Sequence, residues 1–128
     1  MRSIKDVMTT EILAVAPEAT IAETATVMGT RGVGSALVMD GDTLVGIFTE
    51  RDALRAVASD FGAANNPVTQ FMTRGPATTS PDTATREALD IMLERGFRHL
   101  PVVEGGRVVG MVSMRDLTVS LEQELGHE

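Results

Sequence analysis

Two kinds of hydrophobic period alternate along this chain, and the alternation lays out its elements. Ile12 to Ala16 is a short apolar run stopped by Pro17, which reads as a strand. Thr20-Ile21-Ala22-Glu23 then fits a capping box, and Ile21, Ala25 and Met28 recur on one helical face. Arg31-Gly32 closes that helix, with glycine in the usual C-terminal role. Ser35 to Met39 and Leu44 to Phe48 are strands on either side of Asp40-Gly41-Asp42, a hairpin turn. A second helix starts near Glu50 and carries Leu54, Val57 and Ala58. The predicted order is β-α-β-β-α.

The same order comes again. Shifted by 64 positions the chain matches itself without a gap: Met8-Thr9 falls on Met72-Thr73, Pro17 on Pro81, Glu23 on Glu87 and Arg51-Asp52 on Arg115-Asp116. The second copy predicts a short strand Ala77 to Thr79, a helix Glu87 to Arg95 with Leu89 and Met92 apolar, and a hairpin. That hairpin pairs Leu100 to Val103 with Val108 to Val112 around Glu104-Gly105-Gly106. A last helix carries Leu117, Leu121 and Leu125 on one face. The link Asp60 to Pro67, with glycine, two asparagines and proline, reads as a connecting loop. The expected boundaries are residues 1–60 for the first repeat with its lead-in, 61–67 for the linker and 68–128 for the second repeat. The tail Gly126-His127-Glu128 is expected to fray.

Composition narrows the function more by exclusion. A chain of 128 residues suits one compact domain, and two lobes of half that size are marginal unless packed together. Net charge is −7 and Lys5 is the only lysine, which argues against nucleic acid and anionic membrane as partners. No cysteine means neither disulfides nor thiol chemistry. The start has no signal-peptide run, and no stretch approaches the roughly 18 apolar residues of a membrane helix, so a cytoplasmic protein is expected. Catalytic readings fail as well. There is no Gly-x-Ser-x-Gly elbow. His99 is the only histidine outside the tail, so a histidine-based metal site has no ligand set. Asp40 and Asp42 belong to a turn with no acidic ladder after it. Gly29 to Gly34 ends a helix where a dinucleotide fingerprint would open one. The eight methionines and four phenylalanines are expected in the core or on a dimer surface.

Each copy ends in one phrase, Gly-apolar-apolar-(Thr/Ser)-x-Arg-Asp: Gly46 to Asp52, then Gly110 to Asp116. Thr49-x-x-Asp52 and Ser113-x-x-Asp116 satisfy the capping-box template, and the same groups suit a nucleotide. A helix N-terminus offers N–H groups and a positive dipole end to phosphate. A carboxylate can accept from both hydroxyls of a ribose. Capping and binding are compatible, and spacing alone does not choose between them.

This pattern resembles the cystathionine-β-synthase (CBS) domain family, as a stand-alone tandem pair or Bateman module. The residues that carry the resemblance are the β-α-β-β-α order, the lead-ins Val7-Met8-Thr9 and Phe71-Met72-Thr73, and Pro17 and Pro81. Arg98-His99-Leu100-Pro101-Val102-Val103 and the two ending phrases complete it. The resemblance covers about residues 4 to 122 and implies an α/β fold of two tandem repeats related by a pseudo-two-fold axis, with clefts between them. It implies adenosyl ligands, namely AMP, ADP, ATP or S-adenosylmethionine, and no required cofactor. The ligand-binding set it implies is Thr49, Arg51 and Asp52 with Gly34, Ser35 and Ile12 in one copy. In the other copy it is Ser113, Arg115 and Asp116 with Arg98, His99 and Pro76.

The expected function is a non-catalytic sensor, homodimeric, that signals to a separate regulated protein by conformational shift. The alternative is a structural dimerisation domain with degenerate clefts. The copies are expected to differ: Arg98-His99 stands where Gly34-Ser35 stands, and Glu50 adds an opposing charge to the first copy. Phosphate should therefore favour the second, with His99 making its binding tighter below a pKa of about 6.5.

Overall fold

A computed structural model describes residues 2–126. His127 and Glu128, and with them the end of the tail expected to fray, lie outside the described residues. The chain divides into two compact units, Ile12–Pro76 and Met1–Glu11 with Ala77–Glu128. The self-similarity and the units are therefore cut at different places. Each Met-Thr lead-in packs in the unit of the other copy.

In the unit Ile12–Pro76, strands β1 (Ala14–Val15), β2 (Ser35–Asp40), β3 (Thr43–Thr49) and β4 (Thr73–Arg74) form a sheet in the order β1-β2-β3-β4. β1 runs parallel to β2, and the other pairs are antiparallel. The first strand is shorter than the apolar run Ile12 to Ala16 suggests, although the Leu13 carbonyl still accepts from Leu37 N–H at 2.9 Å. Helix α1 (Ile21–Arg31) opens on the expected capping box at Thr20 and Glu23 and closes on Gly32, whose φ of 66° only glycine adopts cheaply. Its buried face is Ile21, Thr24 and Met28, with Ala25 half-buried beside it.

Helix α2 (Glu50–Ser59) departs from its expected apolar face. Asp52 and Ala56 are buried, while Leu54 and Val57 are 69% and 49% exposed. About 100° separates successive residues, so a helix held at 52 and 56 must turn 54 outward. The segment Asp60 to Pro67, read as a connecting loop, forms a 3₁₀ helix over Phe61–Asn65, with Asp60 accepting from Gly62 N–H at 2.9 Å. It sends Ala63 into the core, and Asn66 and Ala19 carbonyls tie it to the start of α1 through Ile21 and Val68 N–H groups. Four such small polar and glycine positions mimicked a linker because the apolar anchors, Ala63 and Val68, are two isolated residues.

In the other unit, α3 (Thr85–Arg95) and α4 (Met114–Leu125) accompany the hairpin β5 (His99–Glu104) and β6 (Arg107–Ser113). α3 begins two residues before Glu87, the residue expected to start it, and it ends at Gly96 with φ 74°. Its buried residues are Ala88 and Met92, with Leu89 packed against the core. Along α4, Leu117 is buried, Leu121 half-buried and Leu125 60% exposed. The strand expected at Ala77 to Thr79 shrinks to one parallel bridge, Thr79 to Val102. The cause is Pro101. It occupies the position of Leu37, whose N–H reaches the Leu13 carbonyl, and proline has no N–H to offer Ala77.

The lead-ins explain the glycine that opens each ending phrase. A Cβ on Gly46 would lie 2.7 Å from Met72 Sδ and 2.7 Å from the Thr73 carbonyl. One on Gly110 would lie 2.7 Å from Met8 Sδ and 2.9 Å from the Thr9 carbonyl. Each Met-Thr thus lies along the second hairpin strand of its unit, where β4 pairs with β3 and Thr9 bridges Met111. Separate cores back the two sheets. Ile21, Met28, Val38, Phe48 and Val68 centre one, and Ile4, Met92, Leu100, Val112 and Leu117 the other. Full burial of a side chain such as Phe48 is worth about 1.5–3 kcal/mol.

Candidate functional site

In the unit Ile12–Pro76 the site is built where β3 hands over to α2. Thr49 is the last strand residue and the helix N-cap, with extended backbone. Its Oγ1 accepts from Asp52 N–H at 3.3 Å, and Asp52 Oδ2 accepts from Thr49 N–H at 2.9 Å and from its Oγ1 hydroxyl at 3.1 Å. Ser35 pairs across the hairpin with Thr49, and Glu50 N–H donates to the Gly34 carbonyl at 3.1 Å. Gly34, Ser35, Thr49 and Asp52 are thereby drawn to one end of the sheet. Ile12, half-buried, precedes the parallel pairing of Ala14 with Leu37 and so lies toward that end. Ser35 is 8% exposed.

The second unit repeats the construction. Ser113 caps α4 by accepting from Asp116 N–H at 3.1 Å, and Asp116 Oδ2 accepts from Ser113 N–H at 2.9 Å. His99 pairs with Ser113, and Met114 N–H donates to the Arg98 carbonyl at 2.8 Å. Arg98, His99, Ser113 and Asp116 therefore share one corner. Arg98 is exposed and His99 half-buried. Arg51 and Arg115 lie in the first turns of α2 and α4 with exposed side chains. Pro76 is half-buried and closes the unit Ile12–Pro76.

The carboxylates differ in what they still can accept. Asp52 is 5% exposed, and its Oδ1 takes a 3.0 Å bond from Arg55 Nη1. The Arg55 guanidinium also sits 5.9 Å from the Phe71 ring centre, within reach of a cation–π contact. Asp116 is half-buried, and no described residue donates to its Oδ1. The sequence reading missed Arg55 and Phe71. The three-residue spacing of Asp52 and Arg55 was available as a helical pair, but a single spacing of that kind is common on any solvated helix.

Chemically, each corner offers helix N–H groups, a hydroxyl and a carboxylate, which are means to hold an anion and a diol. Among the described residues no helix is long and apolar enough to cross a membrane, and no cluster of three or more histidine, aspartate or glutamate side chains could hold a metal ion.

A strand–helix–hairpin–helix unit given twice, each copy closed by a hydroxyl-capped helix, defines a tandem-repeat α/β module. The chain belongs to the CBS domain family, whose model matches residues 4–59 and again 68–122. The crystal structure of the CBS-domain containing protein ATU1752 from Agrobacterium tumefaciens is 30% identical. It superposes with a TM-score of 0.89 over 93% of this chain and 98% of that one. The CBS domain pair of protein MJ0100, in complex with 5′-methylthioadenosine and S-adenosyl-L-methionine, has a TM-score of 0.87 at 24% identity, covering 97% and 98%. CBSX2 in complex with AMP has a TM-score of 0.84 at 23% identity, covering 98% and 99%. At these identities the last two carry the fold alone.

Proposed function

We propose that this protein is a non-catalytic regulatory module that binds an adenosyl ligand at the capped helix N-termini, with Asp52 and Asp116 receiving ribose hydroxyls. The observation that carries the reading is Asp116. Its Oδ2 is fixed by the Ser113 N–H at 2.9 Å, while its Oδ1 is left without a donor among the described residues. A carboxylate so oriented has acceptor capacity directed by its cap, and a vicinal diol supplies the matching donors. The complexes of MJ0100 with S-adenosyl-L-methionine and of CBSX2 with AMP support the ligand class.

Signalling would run by population shift: a ligand that favours one arrangement of the chain biases it, and a separate partner reads the outcome. Self-association is part of the same reading. Leu54, Val57 and Phe61 are 69%, 49% and 89% exposed on α2 and the turn after it, an apolar surface that a second copy would cover.

A thermal-shift panel of AMP, ADP, ATP, S-adenosylmethionine and NAD(H) tests the binding. A ligand at about 100 times its dissociation constant adds about 2.7 kcal/mol of stability, so a clear rise in Tm is expected from at least one adenosyl compound. Unchanged melting across the whole panel would leave the structural dimerisation domain as the better reading.

A further inference from the structure

We infer that Arg55 is a built-in competitor for the ribose-binding carboxylate of the first copy, so that the two copies bind an adenosyl ligand with unequal strength. The inference rests on the proposed ligand reading and adds to it a residue that sets which copy is filled first.

A carboxylate has about four lone-pair positions, two on each oxygen. Asp52 Oδ2 already takes two donors, the Thr49 N–H and the Thr49 hydroxyl, and Oδ1 takes Arg55 Nη1. One acceptor position is left, and a ribose diol brings two hydroxyls. Asp116 takes one donor, the Ser113 N–H, among the described residues, so both hydroxyls can be received. The difference is written in the sequence at matched positions. Arg55 corresponds to Val119, and Phe71, the ring beneath the guanidinium, corresponds to Val7. The competitor and its aromatic seat therefore occur together in the unit Ile12–Pro76, and both matched positions in the other unit are aliphatic. Asp52 is 5% exposed, so the pair has one partner held out of water. The Arg55 side chain is 60% exposed, which keeps the bond weak enough for a ligand to displace. An exposed pair of this kind is worth about 0.2–1 kcal/mol, equivalent to a change in Kd of roughly 1.4- to fivefold.

The sign of the effect makes the test sharp. Removing a cation ordinarily weakens binding of an anionic nucleotide. Removing Arg55 should instead tighten it, because an acceptor is released. The first copy is isolated in an Asp116→Asn background and titrated calorimetrically with neutral adenosine and with AMP, before and after Arg55→Val. The expected result is a roughly 1.4- to fivefold tighter Kd for adenosine. The reciprocal change, Val119→Arg in an Asp52→Asn background, should weaken the second copy by a similar factor. Circular dichroism melts of each variant establish that it is folded.

Adenosine binding that is unchanged or weaker on Arg55→Val, in a folded variant, overturns the role of Arg55 and leaves the ligand reading standing. Silence of the unmodified protein and every variant toward both compounds overturns the ligand reading itself. The competitor falls with it.

Discussion

The first turns of α2 and α4 have the same capping bonds in the two halves and different charges around them. Thr49 and Ser113 cap their helices by the same reciprocal bonds with Asp52 and Asp116. Around those caps the first copy places Gly34, Ser35 and Glu50, and the second Arg98, His99 and Met114. The first also engages the second oxygen of its carboxylate with Arg55, which the second replaces by Val119. A cap needs one oxygen and a helical phrase, so the repeat keeps it as a folding requirement. The remaining oxygen is where the copies separate: Asp52 Oδ1 takes Arg55 Nη1, and Asp116 Oδ1 has no donor among the described residues. On the proposed reading, capping and ligand binding fall to two different oxygens of one side chain.

The largest effect that probes this likeness is steric. Gly46→Ala sets a methyl against the Thr73 carbonyl, and Gly110→Ala sets one against Thr9. A methionine side chain can move aside, but a paired backbone cannot do so without loss. Each substitution should lower stability by about 1–3 kcal/mol, read from the midpoint of urea unfolding. An unchanged midpoint for either would mean that its lead-in does not lie on the glycine. A smaller effect sharpens the difference in charge. Arg98→Ala should weaken AMP binding more than Ser35→Ala does, by a few-fold, and the gap should close as salt rises. Exposed charges are screened over about 8 Å at physiological ionic strength. Equal affinity of both variants at low salt would remove Arg98 from the phosphate.

Much of this fold was legible because its signals are local. The capping boxes, the C-terminal glycines and the Asp-Gly and Gly-Gly turns each reside within a few residues, and all but the Thr20–Glu23 box recur in both copies, α3 opening on Ala84 without a side-chain cap. What was not legible depended on pairing between distant segments. The lead-in Met8-Thr9 belongs to the unit of the second copy because Thr9 bridges Met111, a partner that no periodicity announces. Pro101 erased most of a strand 22 residues upstream by withholding a single N–H, although as Leu100-Pro101 it read as an ordinary strand start. At the site, residue types and spacing pointed to Thr49, Asp52, Ser113 and Asp116, and strand register added Ser35 and His99 beside them. The bond from Arg55 could not be read. Arg55 also lies against the Phe71 ring, a neighbour remote in sequence.

Calorimetric titration of Asp116→Asn beside Asp52→Asn with AMP tests the central claim most directly. Asparagine can still accept the capping N–H but presents one oxygen where the carboxylate presents two. Loss of hydrogen bonds to a charged group costs about 1.5–3 kcal/mol, so Asp116→Asn should weaken the tighter binding step by roughly ten- to 150-fold. Asp52→Asn should leave that step within a few-fold of the unmodified protein. Equal weakening by the two variants would contradict the division between the copies. Full affinity in both would leave the carboxylates with their capping role alone.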